Sequence, residues 1–407
     1  MRFRGAVLWA VALGVYASTI GMPAFGRSEY AGAEPHHLLT AKSLVDDGDV
    51  DLVNQYRHGS YREFYPYGLA PEGELTEGRL DEPYGLGFAV LIAPAYGLGG
   101  ARAVEAMLAA IAALGVLLAY RLALRVVPDP WALGAAAAVG LAPPLLAYST
   151  AVYPETCAGA ALAGAALLAL GLADRPSRPR AVVCFALVAV VPWLGIRFAP
   201  AALLIGGYAY LSLRRARRGV LALAGVEIVA FATAVFVGVN SRLYGGPSPD
   251  SAGGAASGAH DLLDYPARAG RLATLWVDPH FGLLRWAPVT VLVLVGAWLV
   301  VRERRGGLRR AIPTLAAQES AALLCGAVCL AQFLVAVFLA PRTSGNWFPG
   351  RHLVSVMPLA APLAALGLRR LPRFGTALGL VTVAGSLWLW LAIRLGDFGL
   401  IGNRPPF

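Results

Sequence analysis

Apolar runs alternate with short polar breaks along the whole chain, and most runs are long enough to cross a bilayer as a helix. Met1-Arg2-Phe3-Arg4 precedes an apolar run over 5–24, predicting an uncleaved first helix with its N-terminus inside. Residues 84–100 are apolar but interrupted by Gly85, Gly87, Pro94 and Gly97, which predicts a juxtamembrane or re-entrant piece. Further spans follow at 103–120, at 131–147 and from Tyr153-Pro154-Glu155, where proline suits a first helical turn. The remaining spans are predicted at 181–193, from 197 to 214, at 220–242, at 283–301, up to 339, from 351 to 369 and beyond 370. The sum is an all-α polytopic bundle of about 11 transmembrane helices, because lipid leaves the backbone only helices or a closed barrel and unbroken Ala/Leu/Val runs exclude the barrel.

The polar breaks differ in kind. Arg214-Arg215-Ala216-Arg217-Arg218, Arg302-Glu303-Arg304-Arg305 and Arg369-Arg370 are short and basic, as expected of loops held on the cytoplasmic side. Residues 25–83 hold 12 of the 24 acidic residues together with many Tyr, Gly and Pro, so they read as an ordered first extracytoplasmic loop with a functional role. A second large extracytoplasmic loop is predicted over 244–282, and the chain reads as a single transmembrane domain over 1–407.

Composition sharpens this only in places. At 57% hydrophobic and 14% charged residues the chain is a membrane protein, and its net charge of +10 comes from arginines clustered between spans, which sets nucleic acid aside. Lys42 is the single lysine. Cys157, Cys184, Cys325 and Cys329 all fall in apolar spans and read as packing residues, since no His or carboxylate completes a metal set around them.

The chemistry concentrates at the outer helix ends. Glu34, His36 and His37 follow the first helix, Tyr153 and Glu155 open the fourth, Arg197 lies between the fifth and sixth, and Arg351 with His352 opens the tenth. Such residues at membrane depth are costly and are kept mainly where they pair or bind. A carboxylate beside imidazoles can activate a hydroxyl or hold a cation, and arginine recognises phosphate oxygens bidentately. An outward cavity with acids near one end and arginines near the other suits a phosphate-bearing lipid and a hydroxyl acceptor, while Arg197 and Arg351 equally suit membrane-lipid head groups. Glu155 can cap its helix or face the cavity. Asp46-Asp47-Gly48-Asp49-Val50-Asp51 lacks the bidentate Glu of a calcium loop and reads as a solvated turn after a short amphipathic helix over 38–45.

Several motifs carry a resemblance. They are Glu34-Pro35-His36-His37-Leu38-Leu39 with Ala41-Lys42-Ser43-Leu44-Val45, Gly78-Arg79-Leu80 with Pro83-Tyr84-Gly85, and Tyr153-Pro154-Glu155. Pro192-Trp193-Leu194-Gly195-Ile196-Arg197-Phe198, Phe281-Gly282-Leu283-Leu284 with Ala287-Pro288-Val289, and Gly350-Arg351-His352-Leu353 complete the ordered set, which covers 5–368. In this the chain resembles the GT-C class of multi-spanning glycosyltransferases, such as protein mannosyltransferases and aminoarabinose transferases. The resemblance implies inverting transfer of a monosaccharide from a polyprenyl-phosphate carrier to a cell-envelope glycan, lipid or protein on the outer membrane face. Glu34 would be the catalytic base, Arg351 and Arg197 the donor-phosphate ligands, and His36, His37, Tyr153, Glu155 and His352 the substrate contacts. Whether a divalent metal assists is left open, and no other cofactor is implied.

Two positions depart from the class. Relatives carry Asp before the Glu-Pro-His motif, where this chain has Ala33, and His in the Pro-Trp-Leu-His-x-Arg motif, where it has Gly195. Either Glu34 serves as base, or Asp46 or Asp47 reaches in, or the chain is a non-catalytic relative that transports or scaffolds lipid-linked sugars.

Overall fold

The computed structural model describes residues 2–252, 264–303, 313–396 and 399–401. Arg304 and Arg305 of the second basic cluster, residues 253–263 of the second predicted loop and the end of the tail lie outside the described residues.

The helices, in chain order, are α1 (Arg2–Ala17), α2 (Glu34–Asp46), α3 (Val53–His58), α4 (Leu86–Ala123), α5 (Trp131–Gly140), α6 (Pro143–Tyr148), α7 (Pro154–Asp174), α8 (Arg178–Leu194) and α9 (Ala199–Arg215). They continue with α10 (Gly219–Tyr244), α11 (Asp264–Arg268), α12 (Arg271–Val277), α13 (Leu283–Trp286), α14 (Val291–Glu303), α15 (Pro313–Leu334), α16 (Arg351–Val354), α17 (Met357–Arg370) and α18 (Pro372–Arg394). Among the described residues, six helices are long and apolar enough to cross a membrane, and three shorter apolar ones lie at Phe3–Ala17, Trp131–Gly140 and Pro288–Arg302. The strand content described is one two-stranded hairpin, Leu75–Thr76 against Arg79–Leu80, inside the first loop.

Where the structure departs from the sequence reading, proline and glycine are the cause. The predicted span over 131–147 is two helices, because Pro143-Pro144 opens α6 after an extended Ala142. The span over 283–301 is likewise interrupted at Ala287-Pro288. Residues 84–100 are helical and run on into the second span as α4, whose 38 residues would extend about 57 Å if straight. The run breaks at Gly99-Gly100; Gly100 sits at φ 63°, ψ −155°, a region that suits glycine alone.

Packing places one helix at the centre. In α7, 72% of the apolar window is buried inside the protein, against 17% in peripheral α10, and α7 packs against α4, α8, α9 and α17. The interior is rich in alanine, which lets helix axes approach. α14 and α17 meet backbone to backbone: a Cβ on Gly296 would lie 2.0 Å from the Leu363 carbonyl oxygen, and one on Gly367 2.3 Å from that of Leu292.

The first loop is ordered, as expected. α2 lies against α4 with Leu38 and Leu39 both buried. Leu39, Leu52, Tyr61 and Leu80 form a small core of its own. The Asp51 carboxylate ties the hairpin to α3 by accepting N–H bonds from Leu80 at 3.0 Å and Val53 at 3.2 Å.

Candidate functional site

Glu155 is fully buried in the first turn of α7 and brings two arginines together. Its Oε1 accepts a hydrogen bond of 2.7 Å from Nη2 of Arg197, in the 3-10 turn between α8 and α9, and one of 2.7 Å from Nε of Arg351, the first residue of α16. The acid and the arginines therefore do not stand at opposite ends of a cavity, as the sequence suggested; one buried carboxylate sits between both guanidinium groups. Glu155 Oε2 receives no hydrogen bond among the described residues.

Among the described residues, the Glu155 carboxylate lies between the two guanidinium groups. Arg351 stacks 4.0 Å from the Tyr153 ring centroid and 5.1 Å from that of Trp347, which fixes its plane. Only its Nε is spent on Glu155, so both terminal nitrogens are without a hydrogen-bond partner among the described residues. Arg197 keeps 32% of its side chain exposed. Tyr153 donates to the Ala31 carbonyl at 2.9 Å and so joins α7 to the first loop. His352 is tied to the neighbouring loop, Nε2 lying 2.9 Å from the Arg342 carbonyl oxygen while its own carbonyl accepts from Gln332.

The loop residues divide into two groups. Glu34, 4% exposed, accepts N–H bonds at both oxygens, from Ala31 at 2.8 Å and from Val152 at 2.7 Å. Burial pushes its pKa up to about 7 even though those two amides pull the other way. The carboxylate is a clasp between the start of α2 and the entry to α7. His37 lies among the rings of Tyr84, Phe88 and Tyr153. Burial, reinforced by Arg351, lowers its pKa to about 3, so it is neutral at ordinary pH.

His36 belongs to a polar network. Its Nδ1 lies 3.0 Å from Oε1 of the buried Glu82 and 2.8 Å from the Tyr56 hydroxyl, which itself donates to Glu82. Its Nε2 faces the half-exposed Glu72 carboxylate at 3.8 Å. Asp46 and Asp47 sit at the far end of α2, about 18 Å along the axis from Glu34. Asp46 pairs with Lys42 at 3.0 Å, and Asp47 accepts from Asn54 at 2.9 Å and from Gln55.

The sequence reading missed Glu82, Glu72 and Glu105. Glu82 and Glu72 carry no signal beyond membership of an acidic loop. Glu105 does: it is a lone acid inside an apolar run, which by itself marks a buried polar contact. It accepts from the Gly21 amide at 2.7 Å, from Tyr30 and from Arg102. A cavity of about 30 Å³ lies between Glu34, Glu105, Tyr148 and Tyr153, and an open cleft of about 460 Å³ lies at the α4 break between Arg27, Tyr30, Arg62 and Arg102. Among the described residues no group of three or more His, Cys, Asp or Glu side chains is arranged to hold a metal ion.

Solved structures share this arrangement of helices. ArnT from Cupriavidus metallidurans, bound to undecaprenyl phosphate, matches at a TM-score of 0.56 over 96% of this chain and 71% of its own, with 16% identity. The chain has the GT-C fold. The archaeal oligosaccharyltransferase AglB from Archaeoglobus fulgidus, in complex with an inhibitory peptide and a dolichol-phosphate, matches at 0.52 over 99% of this chain, with 13% identity. The GT-C chain spans 57% of AglB's length. The Archaeoglobus enzyme is also known in complex with Zn and sulfate. No protein-family model and no curated protein matches the sequence. Helices and fold together make the chain a multi-pass membrane protein.

Proposed function

We propose that this chain transfers a monosaccharide from a polyprenyl-phosphate carrier to a hydroxyl of a cell-envelope glycan, lipid or protein, with inversion, on the outer face of the membrane. The observation that carries the reading is the arginine pair set by Glu155, with both terminal nitrogens of Arg351 unpartnered among the described residues and its guanidinium carbon 4.0 Å from the Tyr153 ring centroid. As the bond from the anomeric carbon to the phosphate oxygen breaks, negative charge grows on the departing phosphate. Two guanidinium groups already oriented by a buried carboxylate stabilise that charge without reorganising. The undecaprenyl phosphate in ArnT and the dolichol-phosphate in AglB support a polyprenyl carrier as the phosphate's owner. In this reading Glu155 positions the arginines, and Glu34 clasps the first loop over them.

A second reading has one observation in its favour. Ala33 stands where the class has its acid, and it is buried, so no carboxylate from that position reaches an acceptor. The chain would then bind or move lipid-linked sugars without turnover.

Transfer of labelled sugar from a panel of polyprenyl-phosphate donors to envelope acceptors, with the full chain in proteoliposomes, tests the reading. Wild type is expected to transfer, and Arg351→Gln to lose about 100-fold or more in kcat, the usual effect of removing one transition-state donor. A wild type that binds the carrier but transfers nothing across the panel supports the second reading.

A further inference from the structure

The transferase reading so far names no group to take the acceptor's proton. Glu34 accepts a backbone amide at each oxygen and serves as the clasp, position 33 is alanine, and Asp46 and Asp47 are remote. We infer that His36 is the general base for acceptor attack, with Glu82 and Tyr56 as the residues that set its tautomer. The inference rests on the transferase reading and names the proton acceptor within it.

Hydrogen bookkeeping supports the assignment. Glu82 is an acceptor when ionised, and its Oε1 already receives the Tyr56 hydroxyl proton. The tyrosine has only that one proton to give. His36 Nδ1 lies 3.0 Å from the same carboxylate oxygen and 2.8 Å from the tyrosine oxygen. A bare nitrogen lone pair there would face two oxygens with no hydrogen between them, so Nδ1 carries the proton and Nε2 carries the lone pair. Nε2 is turned toward Glu72, at 3.8 Å, too far for a hydrogen bond. Glu72 has 48% of its side chain exposed, whereas His36 has 3% and Glu82 1%, so Nε2 points toward the more exposed side of the network. A buried carboxylate behind one imidazole nitrogen, with the other turned toward the half-exposed Glu72, is the arrangement of a base held in one tautomer.

The place in the molecule also fits. The His36 ring lies 5.4 Å from the Tyr84 ring, which lies 5.1 Å from His37, and His37 in turn packs against Tyr153 beneath Arg351. A row of rings thus connects the proton acceptor with the phosphate-binding arginines. The groups that face His36 are Glu82, Tyr56, Glu72, Tyr84 and His37. In the step, the acceptor O–H gives its proton to His36 Nε2 as its oxygen forms the bond to the anomeric carbon. The bond from that carbon to the carrier phosphate breaks, and its electron pair leaves on the phosphate monoester. The imidazolium, stabilised by Glu82, then returns the proton to solvent.

The test uses the full chain in proteoliposomes with the donor panel above. His36→Ala is expected to lose 100-fold or more in kcat with less than a threefold change in the KM for the carrier-sugar. Added imidazole should restore at least tenfold of that loss. Glu82→Gln keeps the side-chain size and is expected to lower kcat and shift the acid limb of its pH profile, with thermal stability recorded for every variant. Active wild type with His36→Ala equally active, or with a loss that imidazole does not relieve while Glu82→Gln leaves the pH profile unmoved, overturns the assignment of His36 and leaves the transferase reading standing. Wild type that transfers nothing while binding the carrier overturns both.

Discussion

The two polar clusters of this molecule are built in opposite ways. The arginine cluster joins Glu155 to partners 42 and 196 residues away, and every member stands at a helix end. The His36 cluster draws Tyr56 and Glu82 from 20 and 46 residues away, all within one loop. The first sets two guanidinium groups and suits an anion; the second gathers carboxylates around an imidazole and suits a proton. A transfer reaction needs both, held by different parts of the chain. One follows the packing of the bundle, and the other follows the fold of the loop above it.

The largest effect should come from breaking the first cluster at its buried member. Glu155→Gln leaves the guanidinium of Arg351, 11% exposed, without its counter-charge. Removing one partner of a buried ion pair costs about 3–5 kcal/mol, so thermal unfolding of the purified protein should show a substantially lower Tm. His36→Ala, by contrast, truncates a buried ring and takes one partner from Glu82, so some loss of Tm is expected with it, and kcat should fall selectively. If both variants lost stability equally and neither changed turnover selectively, the division of labour between the clusters would not hold.

The clasp that joins the two clusters gives the next effect. The pKa of Glu34 is raised from 4.5 to about 7 by burial. The folded state therefore holds that proton more tightly than the unfolded chain does. The stability this confers is fully present below pH 4.5 and is lost as pH rises through about 7. A shift of this size corresponds to roughly 3 kcal/mol between the two limits. Unfolding measured from pH 4 to pH 8 should show Tm falling across that window. Glu34→Gln should flatten the fall, at the cost of one of the two backbone bonds, because its amide nitrogen cannot accept from Ala31 or Val152. A Tm that held constant through the window in wild type would remove the buried-carboxyl account of the clasp.

Arg197→Lys separates charge from geometry within the first cluster. Lysine keeps the positive charge but loses the planar fork that grips a carboxylate and a phosphate together. Carrier binding should weaken about tenfold, or roughly 1.4 kcal/mol, with kcat less affected than in Arg351→Gln. Titration with a polyprenyl phosphate in detergent reads the change directly, and unaltered binding would assign Arg197 to scaffold alone.

Much of this was legible in the sequence, and what was not has physical reasons. The spans, the ordered first loop and the polar residues at helix ends follow from hydropathy and the cost of polar groups in lipid, which act locally. The helix breaks at Pro143 and Pro288 were written there too, but a proline at the start of a helix and one inside a span look alike without the flanking dihedral angles. The convergence of Arg197 and Arg351 on Glu155 was beyond reach because the packing of α7, α8 and α16 decides it. Glu82 is the instructive case. It is one of 12 acids in the loop, and only the fold singles it out by burying it behind His36.

The smallest effect sharpens the comparison from the other side. Asp46 and Asp47 are carboxylates of the same loop, and sequence alone made them the candidates for the proton after Glu34. Asp47 accepts from Asn54 and Gln55, so it fastens the end of α2 to α3, and Asp46 spends its charge on Lys42 at a half-exposed site. With about 18 Å of helix between them and Glu34, neither reaches an acceptor bound near the arginines. Asp47→Asn keeps an acceptor oxygen for those amides and should leave kcat within twofold of wild type, with a shift in Tm of a degree or two. A tenfold fall in kcat at unchanged Tm would place proton transfer at that end of α2, and would make the network behind His36 a structural one.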